Sequence, residues 1–257
     1  MALGVTLVGG GATAGAAPAH PVLVELFTSQ GCSSCPAADA FVRELPRLGL
    51  GRDRVIPLTF HIDYWDDLGW KDPFAAPEFT ERQRGYASSG LLVSPPGEDG
   101  IHGSYTPQMI VGGTVHFSGA RRDVALAEIQ RAASAPEPAA LSAEATIDKE
   151  LAKVTARITT AERPATQQAW RLNVALALKE ARTDVRRGEN SGETLAEAAI
   201  VRWLSPPIPI TSEGGPVHID VPKPRGIAWK DVELVAFVQA KTTGRVIAAR
   251  ALPLESR

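Results

Sequence analysis

The chain contains two cysteines, Cys32 and Cys35, separated by two serines. A thiol attacks as its thiolate, and at an unperturbed pKa near ~8.5 only about 3% of a cysteine is ionised at neutral pH. The pair becomes reactive where something stabilises that anion. A helix N-terminus does so, through unpaired N–H groups and a partial positive charge. At this spacing Cys35 falls one helical turn beyond Cys32, within bonding reach. The expectation is an exposed attacking sulfur at Cys32 and a shielded resolving sulfur at Cys35. The same spacing also serves as half a zinc site or as an inert disulfide. With no further cysteine in the chain, a disulfide framework and an all-cysteine zinc site are excluded.

The flanking sequence supplies a strand and a helix for this junction. Pro21 to Phe27 is a short apolar run that reads as a buried strand. After TSQGCSSCP, residues Ala38, Phe41, Val42 and Leu45 recur at helical spacing, and Pro36 suits a first helical turn. Val55 to Tyr64 reads as a second strand, and Glu78 to Ala87 as a helix. The polar loop SPPGEDGIHGS leads to a hairpin, Gln108 to Val111 and Val115 to Ser118, turning at Gly112-Gly113. A last helix is expected over Arg121 to Ala133.

SAPEPAA at 134–140 reads as a linker. Beyond it, Ala152, Val154, Ala156 and Ile158 alternate with polar residues, as do Trp170, Leu172, Val174, Leu176 and Leu178. Further strand-like runs lie near 199–204, 217–221, 232–239 and 245–252. Residues 141–257 are therefore expected to form a small all-β, sandwich-like domain. At the other end, Met1 to Ala19 is small, apolar and uncharged, with Ala14-Gly15-Ala16 and Ala17-Pro18-Ala19 as cleavage-type sites. It reads as a secretory signal peptide lacking a basic start, with a Gly/Ala tail as the alternative. No other segment reads as a membrane span. A net charge of −2 gives no basic excess for nucleic acid, and 44% apolar residues suffice for a sizeable core.

The order strand, CxxC, helix, strand, then Thr106-Pro107 before a hairpin and a last helix resembles the thioredoxin fold. That resemblance implies an α/β thioredoxin-like domain over 20–134, carrying a helical insertion. It also implies a cis bond before Pro107, with Thr106 and Pro107 presenting backbone to an extended substrate beside the disulfide. FTSQGCSSCP, FHIDYWDDLGWKDPF, RQRGYA and YTPQMIVGG, with RGENSG at 187–192, are similar to a bacterial family of predicted-secreted proteins of unknown function. This implies a periplasmic or secreted location.

In thioredoxins a buried acid on the first strand helps move the resolving thiol's proton, and Glu25 stands nearest that place. A buried, unpaired carboxylate has a raised pKa, which suits a base. Tyr64, Trp65 and Trp70, among Asp63, Asp66, Asp67, Lys71 and Asp72, are expected to line a substrate groove. His61 and His102 are the histidines available for a copper site with the thiolates. Arg187, Glu189 and Asn190 read as a solvated hairpin loop. The function expected is thiol–disulfide exchange on a protein or small-thiol substrate, with no organic cofactor. The alternatives are a copper-handling protein and a non-catalytic binding module.

Overall fold

The computed structural model describes residues 20–98, 100, 102–136, 139–160, 169–210, 215–252 and 254. The expected signal peptide, 1–19, lies outside them. Strand β1 (Val22–Thr28) is buried along its whole length. Its alternate residues serve two cores, which is why PVLVELF is apolar almost throughout. Val22, Val24 and Leu26 pack with Phe41 and Val42 of α1 (Pro36–Glu44) and with Ile129 of α3 (Arg122–Ala133). Leu23 and Phe27 face the other way, onto Phe79 and Tyr86 of α2 (Pro77–Ser89). Strand β2 (Val55–His61) runs parallel to β1, with Thr28 opposite His61. On the other flank β3 (Gln108–Val111) is antiparallel to β1 and turns at Gly112-Gly113 into β4 (Val115–Ser118).

The elements described after residue 138 are strands, apart from a 3-10 turn at Trp229–Asp231. They are β5 (Ala139–Asp148), β6 (Leu151–Thr160), β7 (Trp170–Asp184), β8 (Thr194–Leu204), β9 (Ile208–Pro209), β10 (Val217–Pro222), β11 (Val232–Ala240) and β12 (Val246–Leu252). Strands β10, β6 and β5 form a three-stranded sheet in that order. Its Leu141, Val154 and Val221 share a core with Val174 of β7 and Leu234 of β11, which belong to a larger sheet. That larger sheet does not stop at the second half of the chain. The order β12-β11-β7-β8-β2-β1-β3-β4, with β9 beside β7, makes one nine-stranded sheet. The joint is the parallel contact of β2 with β8, Thr59 beside Ile200, where the Thr59 hydroxyl donates to the Ala198 carbonyl at 2.8 Å. The protein is thus a mixed α/β fold with few helices, one large sheet and one small one. Alternation within a strand reveals which face is buried but not which strand lies beside it, so this continuity is invisible in the pattern. The expected linker also ends early, because Ala139 already opens β5. Among the described residues no helix is long and apolar enough to cross a membrane.

Glu25 faces α2, on the side of the sheet away from α1. Its Oε1 accepts from Arg82 Nε at 2.6 Å, and its Oε2 accepts from the Tyr86 hydroxyl. The Arg82 guanidinium also lies over the rings of Phe60, Tyr86 and Phe237. Burial would favour losing that charge, but the Glu25 carboxylate more than reverses it and keeps Arg82 firmly protonated. The expectation of an unpaired acid serving the cysteines is therefore corrected: Glu25 is half of a buried ion pair that clamps α2 to the sheet. Removing one partner of such a pair leaves the other charge buried and uncompensated. Glu25→Ala is expected to lower stability to urea by about 3–5 kcal/mol. An unchanged midpoint would contradict the structural role.

Candidate functional site

β1 ends at Thr28, and the chain then turns tightly before α1. Cys32 N–H donates to the Ser29 carbonyl at 3.1 Å, and Cys35 N–H to the Cys32 carbonyl at 3.2 Å. Cys35 is the N-cap residue of α1 and Pro36 opens its first turn. Cys32 and Cys35 are joined by a disulfide, with Cα atoms 5.5 Å apart. The strand-to-helix placement matches the sequence expectation. The exposure does not: Cys32 is 1% exposed and Cys35 is fully buried. The expected exposed attacking sulfur is corrected to one that is covered in the oxidised protein.

Much of the support comes from the turn between β7 and β8. Asn190, itself buried, donates its side-chain amide to the carbonyls of Gln30 at 2.9 Å and Cys32 at 3.0 Å. Glu189 Oε2 accepts from the Ser33 N–H at 2.9 Å. Gly188 makes this approach possible. Its φ is +77°, and a Cβ there would lie 3.1 Å from the Trp70 Cβ. Charge and glycine made 187–190 read as a solvated loop; the structure corrects that for Asn190, which is buried, whereas Glu189 is exposed and still bonds to the cysteine loop.

Beneath the cysteine loop, on the α1 side of the sheet, lies a buried ionisable cluster. His61 Nδ1 lies 2.7 Å from Asp72 Oδ2, and its Nε2 lies 3.7 Å from Glu197 Oε1. Gln30 ties the cluster to the loop: its backbone N–H donates to Asp72 at 2.8 Å and its side chain to Glu197 at 2.7 Å. Asp39, one turn along α1 from Cys35, accepts from the Thr28 hydroxyl at 3.0 Å, and its other oxygen has no partner. Burial, reinforced by the Glu197 charge, pushes the Asp39 carboxyl up to about 8. Burial would push His61 down, but Asp72 and Glu197 reverse this and hold it at about 9. Burial likewise raises Glu197, whereas for Asp72 it is outweighed by the charge and hydrogen bond of His61, which lower it.

The aromatic residues divide. Trp65 Nε1 donates to the Thr106 hydroxyl at 2.9 Å, and its Cβ would be 3.3 Å from a Cβ on Gly31. It therefore bridges the cysteine loop and Thr106. The Thr106-Pro107 bond is cis. Gly119 sits between Pro107 and Ala38 of α1, which brings Pro107 close to the start of that helix. Tyr64 is exposed. Trp70 donates to the Gln30 side chain at 3.1 Å and packs against Gly188, so it anchors the β7–β8 turn. His102 is exposed near His116, and His61 is enclosed in the ionisable cluster. Among the described residues no group of three or more His, Cys, Asp or Glu is arranged to hold a metal ion.

A family model described as "Protein of unknown function (DUF1223)" matches residues 23–239, from β1 into β11. The chain belongs to the DUF1223 family. The DUF1223 match includes the cysteine pair, the ionisable cluster and the β7–β8 turn. A crystal structure of a protein from Agrobacterium tumefaciens, determined in a structural genomics programme, is 26% identical. The match covers 92% of this chain and 97% of that one, with a TM-score of 0.63. A domain of the outer membrane lipoprotein Omp28 from Porphyromonas gingivalis is 16% identical over 48% of this chain and 93% of its own, with a TM-score of 0.27, too low to bear on the fold. No curated protein is significantly similar.

Sequence reasoning missed Gln30, Asp39 and Glu197, and gave Asp72 no role of its own. Two signals were present. Asp39 lies on the helix face of Cys35, and Glu197 interrupts the apolar alternation Leu195, Ala199, Val201 of β8.

Asp39 and His61 both bind protons more tightly in the fold than their ordinary values of 3.8 and 6.5. The folded state therefore holds the extra protons between those values and about 8 and 9 respectively. Stability is fully supported below each ordinary value and falls as pH rises through each folded one. Thermal melts of the oxidised protein are expected to show a falling Tm from pH about 6.5 to about 9. Asp39→Asn should flatten that decline over its lower half, and an unaltered slope would contradict the assignment.

Proposed function

We propose that this DUF1223 protein exchanges thiols and disulfides through Cys32 and Cys35, on a thioredoxin-like arrangement of β1, α1, β2, β3, β4 and α3. The observation that carries the reading is a disulfide at the start of α1, a helix that has Pro107 near its Ala38 across Gly119 and a buried acid, Asp39, one turn beyond Cys35. A helix start favours the thiolate of Cys32.

In the oxidising direction, a client thiolate attacks the Cys32 sulfur. The Cys32–Cys35 bond breaks, and Cys35 leaves as a thiolate that takes up one proton. A second client thiolate then attacks the mixed disulfide, releasing Cys32 and leaving the client oxidised by two electrons. In the reducing direction Cys35 loses its proton and attacks the mixed disulfide at Cys32. Asp39, one turn from Cys35 and pushed up to about 8, gives its proton to the Cys35 thiolate in the oxidising direction, and in its ionised form takes the Cys35 proton in the reducing direction. Trp65 and Thr106 form the edge against which a client segment would lie. A periplasmic or secreted setting accords with this chemistry, because exported proteins meet disulfides more often than cytosolic ones.

The copper alternative depends on His61 and His102. Neither contacts a cysteine among the described residues, and His61 is taken up by Asp72 and Glu197. The binding-module alternative keeps the fold but requires no turnover.

Cys35→Ser is expected to trap mixed disulfides at Cys32, since nothing resolves them, and Cys32→Ser to trap none. Both should lower exchange with a model disulfide by more than about a hundredfold. Turnover surviving in Cys32→Ser would contradict the assigned roles, and absence of turnover in the wild type would favour the binding module.

A further inference from the structure

On the footing of that exchange chemistry, we propose that Glu189 sets the acidity of the Cys32 thiol and, through it, the reduction potential of the pair. Glu189 reaches Ser33 across 156 residues of sequence and accepts its N–H at 2.9 Å. That N–H is the first amide after Cys32. In the reduced pair, the Cys32 sulfur draws on nearby amides and on the positive end of α1 to exist as a thiolate. Glu189 occupies one of those amides and places a negative charge on the peptide that joins Cys32 to Ser33. Both effects disfavour the thiolate. Hydrogen bonding from the Ser33 side chain, and then from its N–H, holds the Glu189 carboxyl below its usual range, so it stays ionised at neutral pH.

The placement is supported on both sides. Asn190, next in sequence, is buried and bonded to the carbonyls of Gln30 and Cys32, and Gly188 is seated against Trp70. The turn is thus fastened to the backbone around Cys32, and the carboxylate, although exposed to solvent, is held at Ser33.

The direction of the effect follows from the half-reaction. A dithiol donor supplies two electrons and two protons. The Cys32–Cys35 bond breaks, both sulfurs become thiols, and the donor becomes a disulfide. Ionisation of Cys32 returns one proton to solvent and stabilises the reduced form. By opposing that ionisation, Glu189 makes the pair harder to reduce, and therefore a better reductant.

The full-length chain tests this in wild-type, Glu189→Gln, Glu189→Ala and Glu193→Gln forms. Glu193 is a charge on the same turn whose side chain bonds to no cysteine-loop residue among those described. Two quantities are read: the pH dependence of Cys32 alkylation, and the equilibrium with reduced and oxidised glutathione. Glu189→Ala is expected to lower the Cys32 pKa by about one unit. Above that pKa it should weaken oxidation by glutathione disulfide by about tenfold, which corresponds to about 30 mV. Glu189→Gln, which keeps an acceptor but loses the charge, should shift both in the same direction by less. Unshifted values in both Glu189 variants, or an equal shift in Glu193→Gln, would overturn the proposal while leaving the exchange reading intact. A wild-type disulfide that glutathione never reduces would overturn the exchange reading itself, and this proposal with it.

Discussion

An imidazolium enclosed between two carboxylates is the interaction on which the rest of the site depends. His61 is fully buried, with Asp72 on one ring nitrogen and Glu197 beyond the other. Burying an ion costs several kcal/mol even after relaxation, so each of these groups is tolerable only while the others are in place. They come from three separate parts of the chain: the end of β2, the loop before α2, and β8. The Thr59–Ile200 joint between β2 and β8 brings the third within reach. The electrostatic requirement and the sheet continuity therefore support each other. Without β8 beside β2, His61 would lose Glu197, and the Gln30 side chain would lose the carboxylate to which it donates.

The cysteine loop inherits its shape from this cluster. Gln30 is the hinge of the arrangement, with its amide on Asp72, its side chain on Glu197 and Trp70, and its carbonyl on Asn190. The loop is short, and every one of these bonds restricts it. The disulfide is consequently held by side chains from the second half of the chain as well as by its own helix. This explains why Cys32 is covered, where a helix start taken alone would have left it open. It also gives the second half of the chain a physical part in holding the disulfide loop, through Glu189, Asn190 and Glu197.

Local features were legible in the sequence and long-range ones were not. The apolar run of β1, the Pro36 helix start and the Gly112-Gly113 turn each follow from a few adjacent residues with strong conformational preferences. The cis bond at Pro107 was legible only through the order of the elements around it, since most prolines follow a trans bond. The cysteine pair was legible because thiols are rare and their spacing is specific. Glu25 was misplaced because a charge on an apolar strand shows that it is buried but not what it meets. Its partners, Arg82 and Tyr86, lie 57 and 61 residues away. Asn190 and Glu197 were hidden for the same reason at greater range. Strand β5 escaped notice because ALSAEAT is rich in alanine and poor in the β-branched residues that favour strands.

The sharpest division is between a disulfide that works and one that only fastens a loop. Dithiothreitol treatment of the full-length wild-type protein under native conditions, followed by thiol counting and near-ultraviolet circular dichroism before and after reoxidation, separates them. A working centre gives two thiols with tertiary structure retained, because the His61 cluster and the Asn190 contacts hold the loop without the bond, and an added oxidised dithiol restores the disulfide. Reduction that occurs only on unfolding, or that collapses the near-ultraviolet signal, would show the bond to be a structural staple and contradict a redox role.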